Sequence, residues 1–186
     1  MSAARPTLTG VEPAPQPPKL PPPELPLRTE RLLLRTVAPQ DRDAVAAYCS
    51  DPEVTRYLPF AALDDAGVDA RLERMIRGTA PSAPDEALTL AVELEGTMIG
   101  DLMLRLTASH APDQPPSIAE LGWVFSPLYA GRGLATEAAC ALVDVAFSHY
   151  PLHRLMAQLD PRNTASARLC ERLGMQHEAH TREDFA

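Results

Sequence analysis

The sequence predicts an α/β (α+β) domain: a mixed, mostly antiparallel sheet with helices on both faces. Three observations carry that expectation. The stretches EALTLAVEL (86–94) and TMIGDLMLRL (97–106) alternate like strands on either side of Glu95-Gly96, a tight-turn dipeptide, and read as a hairpin. Leu134, Ala135, Ala138, Ala139, Leu142, Val143, Ala146 and Phe147 fall on one stripe at 3.6 residues per turn, the mark of an amphipathic helix. Strand-like runs at 118–125 and 153–160 flank that helix and form a β-α-β crossover, which makes the sheet mixed.

The remaining elements follow in order. Nine of the 20 prolines fall within the first 26 residues. Proline removes a backbone donor and fixes φ, so residues 1–26 read as a disordered, polyproline-like extension, and the domain as 27–186. RLLLRT (31–36) has strand length. Pro39 suits a first helical turn and opens a segment containing Ala44, Val45, Ala47 and Tyr48. DPEVTRYLPF (51–60) reads as a turn and short helix ended by Pro59. Asp64 or Asp65 caps a helix running to about Arg77, stopped by Gly78. The hairpin comes next, then an exposed loop at 107–117 with three prolines, then the strand IAELGWVF (118–125). In HRLMAQLD (153–160), Leu155, Ala157 and Leu159 share a face. Asn163 or Thr164 caps a last helix to Leu173, with Gly174 at its C′ position, and MQHEAHTREDFA begins a final strand. The predicted order is β, α, α, β, β, β, α, β, α, β.

Composition narrows the function. The 17 basic against 25 acidic residues leave a net charge of −8, which argues against a nucleic-acid partner and weakly favours a cationic substrate. No apolar run has membrane-spanning length, and no signal-type apolar segment opens the chain. Cys49, Cys140 and Cys170 are scattered and odd in number, which suggests neither disulfides nor a metal site. A reduced cytoplasmic protein is the expectation. His110, His149, His153, His177 and His180 show no pairing that marks a catalytic role.

Two segments could carry chemistry. AGRGLATEA (130–138) lies between a strand and the strongest helix. Gly131 and Gly133 let the backbone approach a ligand, the first-turn amides favour a phosphate, and Arg132 could reach one of its oxygens. A plain strand-to-helix turn explains the glycines as well. A dinucleotide-binding reading fails: Thr136 stands where Gly or Ala is expected, and too few residues follow for further β-α-β units. In LDPRNTASARLCERLGM (159–175), Asn163 sits just past a strand end and Ser166 in the first helical turn, positions that ordinary capping also accounts for.

Taken together with LRTERLLLRTVAPQDRDAVAAYCSDPEVTRYLP and ELGWVFSPLYAGRGLATEAA, the segment 159–175 strongly resembles the GNAT N-acetyltransferase superfamily. The branch most similar to it is the RimJ/RimL-type ribosomal-protein N-terminal acetyltransferases. The resemblance covers nearly everything from Leu27 onward. It implies a sheet splayed between the fourth and fifth predicted strands, acetyl-CoA as cosubstrate without a metal, and transfer to a primary amine on a protein N-terminus or a small molecule. The family's pyrophosphate loop aligns with Ala130, Gly133 and Ala135, so Gly131, Arg132, Leu134 and Thr136 join them as expected cofactor-binding positions. Backbone groups near Val124 and Phe125 would hold the pantetheine arm like an added strand. Asn163 would contact the cofactor arm, with Ser166 nearby.

Departures from the family pattern matter too. Ala130 replaces the frequent Gln or Arg. Cys170 stands seven residues after the asparagine, where many relatives place a tyrosine that protonates the leaving thiolate; its thiol could donate, or be a small buried residue while water protonates the thiolate. Glu120 is the candidate base that deprotonates the amine, with a solvent-facing strand carboxylate as the other reading. Trp123 and Tyr57 are candidate cleft walls, and residues 51–77 with the loop 107–117 are expected to select the acceptor. Relatives continue into a last hairpin strand that this chain is expected to lack. That keeps a non-catalytic CoA-binding module as the alternative, and a homodimer stays open.

Overall fold

The computed structural model describes residues 22–81, 86–107 and 114–181. Its single sheet has six strands in the order β1-β2-β3-β4-β5-β6: Leu27–Arg28, Leu32–Thr36, Ala87–Leu94, Thr97–Leu106, Ile118–Phe125 and Arg154–Met156. The helices are α1 (Arg42–Cys49), α2 (Pro52–Thr55), α3 (Asp65–Arg77), α4 (Leu134–His149) and α5 (Thr164–Arg172). Every neighbouring strand pair is antiparallel except β5 and β6, whose parallel pairing is the crossover through α4. This mixed sheet is the fold class expected.

Alternation sends side chains to two separate cores. On one face Leu88, Leu90 and Leu94 of β3, Leu102, Leu104 and Leu106 of β4, and Ala119 and Leu121 of β5 meet Leu134, Ala138, Ala139, Leu142 and Ala146 of α4. This is the helical stripe read from the sequence. On the other face Ala91 and Val124 join Val45, Tyr48 and Cys49 of α1 with Val68, Leu72 and Met75 of α3. Caps fall where the sequence places them. The Asp64 carboxylate accepts from the Gly67 amide at 2.8 Å, and Asn163 Oδ1 accepts from the Ser166 amide at 3.1 Å.

Four details differ from expectation. A two-residue strand, β1, precedes RLLLRT and pairs with it. Only 154–156 of the stretch 153–160 pair as a strand, because β5 and β6 part after Glu120. No strand forms over 175–181, where a final one was expected to begin; Met175 packs on the α4-side core and Glu178 pairs with Arg154. Residues 1–21 of the expected extension lie outside the described residues, but within 22–26 Pro23 is buried and Leu25 packs on the α4-side core, so packing on the domain reaches back before Leu27. Of the loop at 107–117, residues 108–113 lie outside the described residues, His110 among them.

Candidate active site

The site begins where the sheet comes apart. Parallel pairing holds Ile118, Ala119 and Glu120 against Arg154, Leu155 and Met156, after which β5 runs on to Phe125 with β4 alone beside it. The widening gap is a cleft of about 850 Å³ between the end of β5, the start of α4, the start of α5 and the α2 region. Val124, Phe125, Ala130, Gly131, Gly133, Leu134, Ala135, Thr136, Asn163 and Ser166 line it. Residues from three segments, read separately in the sequence, thus share one cavity.

The turn into α4 has the local conformation its sequence demands. Gly131 and Gly133 have φ of +75° and +76°, a left-handed region that residues with a Cβ rarely enter. A Cβ added at Gly131 would meet nothing within 4 Å, so the requirement there is conformational and not steric. Gly133 is the N-cap, and the first amide to find a helical acceptor is that of Glu137, which donates to the Gly133 carbonyl at 3.0 Å. The amides of Leu134, Ala135 and Thr136 precede it and have no intrahelical acceptor. With the positive end of a 16-residue helix behind them, they form an anion-binding surface at the cleft wall.

The opposite wall is built from β5 and α5. Trp123 Nε1 donates to Ser166 Oγ at 3.1 Å, a bond that ties the free end of β5 to the first turn of α5 across the gap. Asn163 spends its side-chain oxygen on the cap of α5, which leaves its amide NH₂ to donate toward the cleft. Tyr57 closes one end: the Arg162 guanidinium lies 5.8 Å from its ring centroid, and Arg162 is itself held in a forked pair by Asp160. The side-chain and backbone hydrogen bonds from Arg162 bring the Asp160 carboxyl down to about 2.

Three of the expected site residues are placed elsewhere. The Arg132 side chain is outside the cleft lining, its guanidinium 6.0 Å from the Tyr129 ring. Cys170 is half-buried and also outside the lining, and burial pushes its thiol up. Glu120 shares the face of β5 that carries Val124, four residues away, and pairs with Arg105 of β4. The structure adds wall residues that sequence reasoning did not single out: Glu53, Val54, Leu58, Tyr129, Glu137 and Arg172. Of these, Glu137 stands within the segment AGRGLATEA itself. Among the described residues no group of three or more His, Cys, Asp or Glu could hold a metal ion, and no helix is long and apolar enough to cross a membrane.

A mixed sheet that parts beside a glycine turn and an amphipathic helix is the fold of solved GNAT-family acetyltransferases. The acetyltransferase (GNAT) domain family matches residues 31–176, and the chain belongs to that family; it is an N-acetyltransferase. An uncharacterized N-acetyltransferase, p20, of Bacillus licheniformis is 31% identical over 157 residues, covering 84% of this chain and 85% of its own. A solved GNAT-family acetyltransferase from Bacillus anthracis is 29% identical and superposes with a TM-score of 0.71 over 83% of this chain and 86% of that one. A spermidine N-acetyltransferase from Vibrio cholerae, solved with CoA and spermine, shares the fold at 19% identity, with a TM-score of 0.69 over 85% and 88% of the two chains.

Proposed function

We propose that this protein transfers the acetyl group of acetyl-CoA directly to a primary amine, on a protein N-terminus or a small molecule. The observation that carries the reading is the single cleft joining a free strand end to an anion-binding turn. An extended thioester with a pyrophosphate needs both. Bound acetyl-CoA supplies an acetyl group activated as a thioester. In the reaction the amine nitrogen bonds to the acetyl carbon, the carbon–sulfur bond breaks, the amine loses a proton and the thiolate gains one.

The residues present fit that cosubstrate. Amides from Gly131 to Thr136 face a pyrophosphate, with Gly131 and Gly133 keeping side chains out of its way. The backbone of Val124 and Phe125 pairs with the pantetheine arm and supplies a donor to the thioester carbonyl. The Asn163 NH₂ donates to the same arm. Glu120 takes the amine proton through water: it lies about 13 Å along the strand from Val124, too far for direct contact with an amine held there. Cys170 reaches no cleft wall, which favours water as the proton source for the thiolate. Glu53 at the cleft wall and the net charge of −8 favour a cationic acceptor. A reducing cytoplasm suits the three free cysteines.

Release of free CoA thiol from acetyl-CoA, followed with polyamines, other small amines and N-terminal peptides, tests the proposal. Turnover with one acceptor class is the expected result. Tight acetyl-CoA binding without turnover on any of them would establish the non-catalytic CoA-binding module instead. Glu120→Gln should lower turnover at neutral pH roughly 10²-fold while the KM for acetyl-CoA stays put.

A further inference from the structure

The stretch that leads into β2 grips the cofactor turn. The Thr29 hydroxyl donates to Glu137 Oε1 at 2.5 Å, and the Arg31 amide donates to the same oxygen at 2.8 Å. Arg31 Nε reaches Glu137 Oε2 at 2.7 Å, and its Nη2 lies 2.6 Å from that oxygen. A third guanidinium nitrogen, Nη1, donates to the Arg132 carbonyl at 3.0 Å, on the glycine turn itself. The other Arg31 nitrogen, Nη2, stands 3.7 Å from where a Cβ on Gly133 would be. Two short segments about a hundred residues apart are thereby fixed to each other through one carboxylate and one carbonyl.

The arrangement addresses an electrostatic conflict. Glu137 belongs to the first turn of α4 and lines the cleft. A carboxylate suits the positive end of a helix, but it opposes a pyrophosphate that would use the same end. Burial works against its charge, yet the hydrogen bonds from the Thr29 hydroxyl and from the amide and guanidinium of Arg31 outweigh burial and hold the carboxyl below the usual carboxylate range. Glu137 is therefore ionised at neutral pH, and Arg31 is the cation beside it.

Resting on the acetyl-CoA reading above, we propose that Arg31 is a positioning residue for the cosubstrate. It cancels the Glu137 charge at the phosphate-binding end of α4 and fixes the Gly131–Gly133 turn through the Arg132 carbonyl. Its effect falls on the affinity for CoA and not on the acceptor or on the fold, because its side chain is 42% exposed and fills no core.

The test is CoA binding by calorimetry, with acetyl-CoA and acceptor KM values and melting temperatures, for the unmodified chain, Arg31→Ala, Arg31→Lys and the double variant Arg31→Ala/Glu137→Gln. Arg31→Ala should raise the CoA Kd and the acetyl-CoA KM roughly tenfold or more, the loss of charge-assisted bonds, with acceptor KM little changed. Arg31→Lys should recover part of the affinity, keeping the charge without the forked geometry. The double variant should also bind more tightly than Arg31→Ala, since the uncancelled carboxylate is gone. Unchanged CoA affinity in Arg31→Ala overturns the proposal, as does a double variant no better than the single one. If Arg31→Ala fails to fold, Arg31→Lys and the double variant decide by the same readings. An unmodified chain that binds no CoA overturns the acetyl-CoA reading and this proposal with it, whereas tight binding by both the unmodified chain and Arg31→Ala overturns this proposal alone.

Discussion

The two faces of the sheet are built on different principles. The α4 face is hydrocarbon, leucine against alanine and leucine, and among the described residues the Tyr150 hydroxyl is its one buried side-chain polar atom without a partner. The face under α1 and α3 holds charge. Asp101 of β4 is 3% exposed, accepts from the Tyr48 hydroxyl at 2.8 Å, and pairs with Arg71 of α3 at 3.1 Å. Further along that face Arg35 of β2 bridges Asp41 and Glu93 at 2.7 Å each, and Arg105 pairs with Glu120. An apolar face tolerates any side chains of suitable volume, while a buried ion network accepts one arrangement of partners. The difference bears on the cleft because Glu53 and Val54 of α2, the helix that follows α1, line it together with the start of α4. On this view the network registers α1 and α3 on the strand that carries Asp101, directly beside Val124 in the sheet.

The contrast predicts unequal responses to shape-preserving changes. Asp101→Asn keeps the shape but removes the charge facing Arg71, whose guanidinium then lies buried without its counter-ion. A loss of about 3–5 kcal/mol is expected. Leu104→Met, an equally conservative change on the α4 face, should cost less than about 1.5 kcal/mol. Denaturant midpoints measure both. Similar losses would show that the two faces do not differ in the way described.

Tyr48→Phe sharpens the same comparison from the other partner. It leaves an Asp101 oxygen without one donor and should destabilise by about 1–3 kcal/mol. Burial first, and then the charge of Asp101, push the Tyr48 phenol well above its ordinary value of 10.0. A group raised in the folded state adds stability that is whole below its unfolded pKa and is lost as pH rises toward the folded value. The unmodified protein should therefore weaken above about pH 10. In Tyr48→Phe that alkaline loss should shrink, which pH-dependent melting would show.

What the sequence makes legible follows the range of the interactions involved. Alternation in β3 and β4, the stripe of α4 and the caps at Asp64 and Asn163 depend on neighbours within a few residues, and the structure forms them as read. The glycine turn and Asn163 were legible as a site only through their joint resemblance to a family, since capping and turn geometry explain each of them locally. Asp101 was not legible. It sits in the apolar stretch TMIGDLMLRL, and its partners are 53 and 30 residues away. Arg31 and Glu137 are 106 apart, and no periodicity links them. The short β6 was misjudged for a related reason: the apolar pattern continues through Leu159, but pairing ends at Met156 because β5 has already turned away.

The glycine turn at the start of α4 predicts smaller effects than the ion network. Gly131→Ala meets no neighbour, so its cost is the left-handed backbone alone, about 1–2 kcal/mol, and it should appear as a higher acetyl-CoA KM together with a slightly lower melting temperature. Gly131→Asn should cost less, because asparagine enters that region more readily. Equal effects of Ala and Asn would point to a steric demand that the open space around Gly131 does not show.

Asn163 gives the finest separation, since under the acetyl-CoA proposal one side chain serves fold and ligand through different atoms. Its Oδ1 caps α5 at the Ser166 amide, and its NH₂ is the group available to the cleft. Asn163→Ala removes both and should destabilise by about 1 kcal/mol, the worth of a cap, while weakening CoA binding. Asn163→Asp keeps an oxygen at the cap, where a carboxylate also suits the helix start, so melting should match or exceed that of the unmodified chain. The same change takes away the donor and adds a negative charge on the cofactor side, and CoA affinity should fall at least as far as in Asn163→Ala. Retained affinity in the aspartate variant would reduce Asn163 to a cap and leave the arm of the cosubstrate to the backbone of Val124 and Phe125.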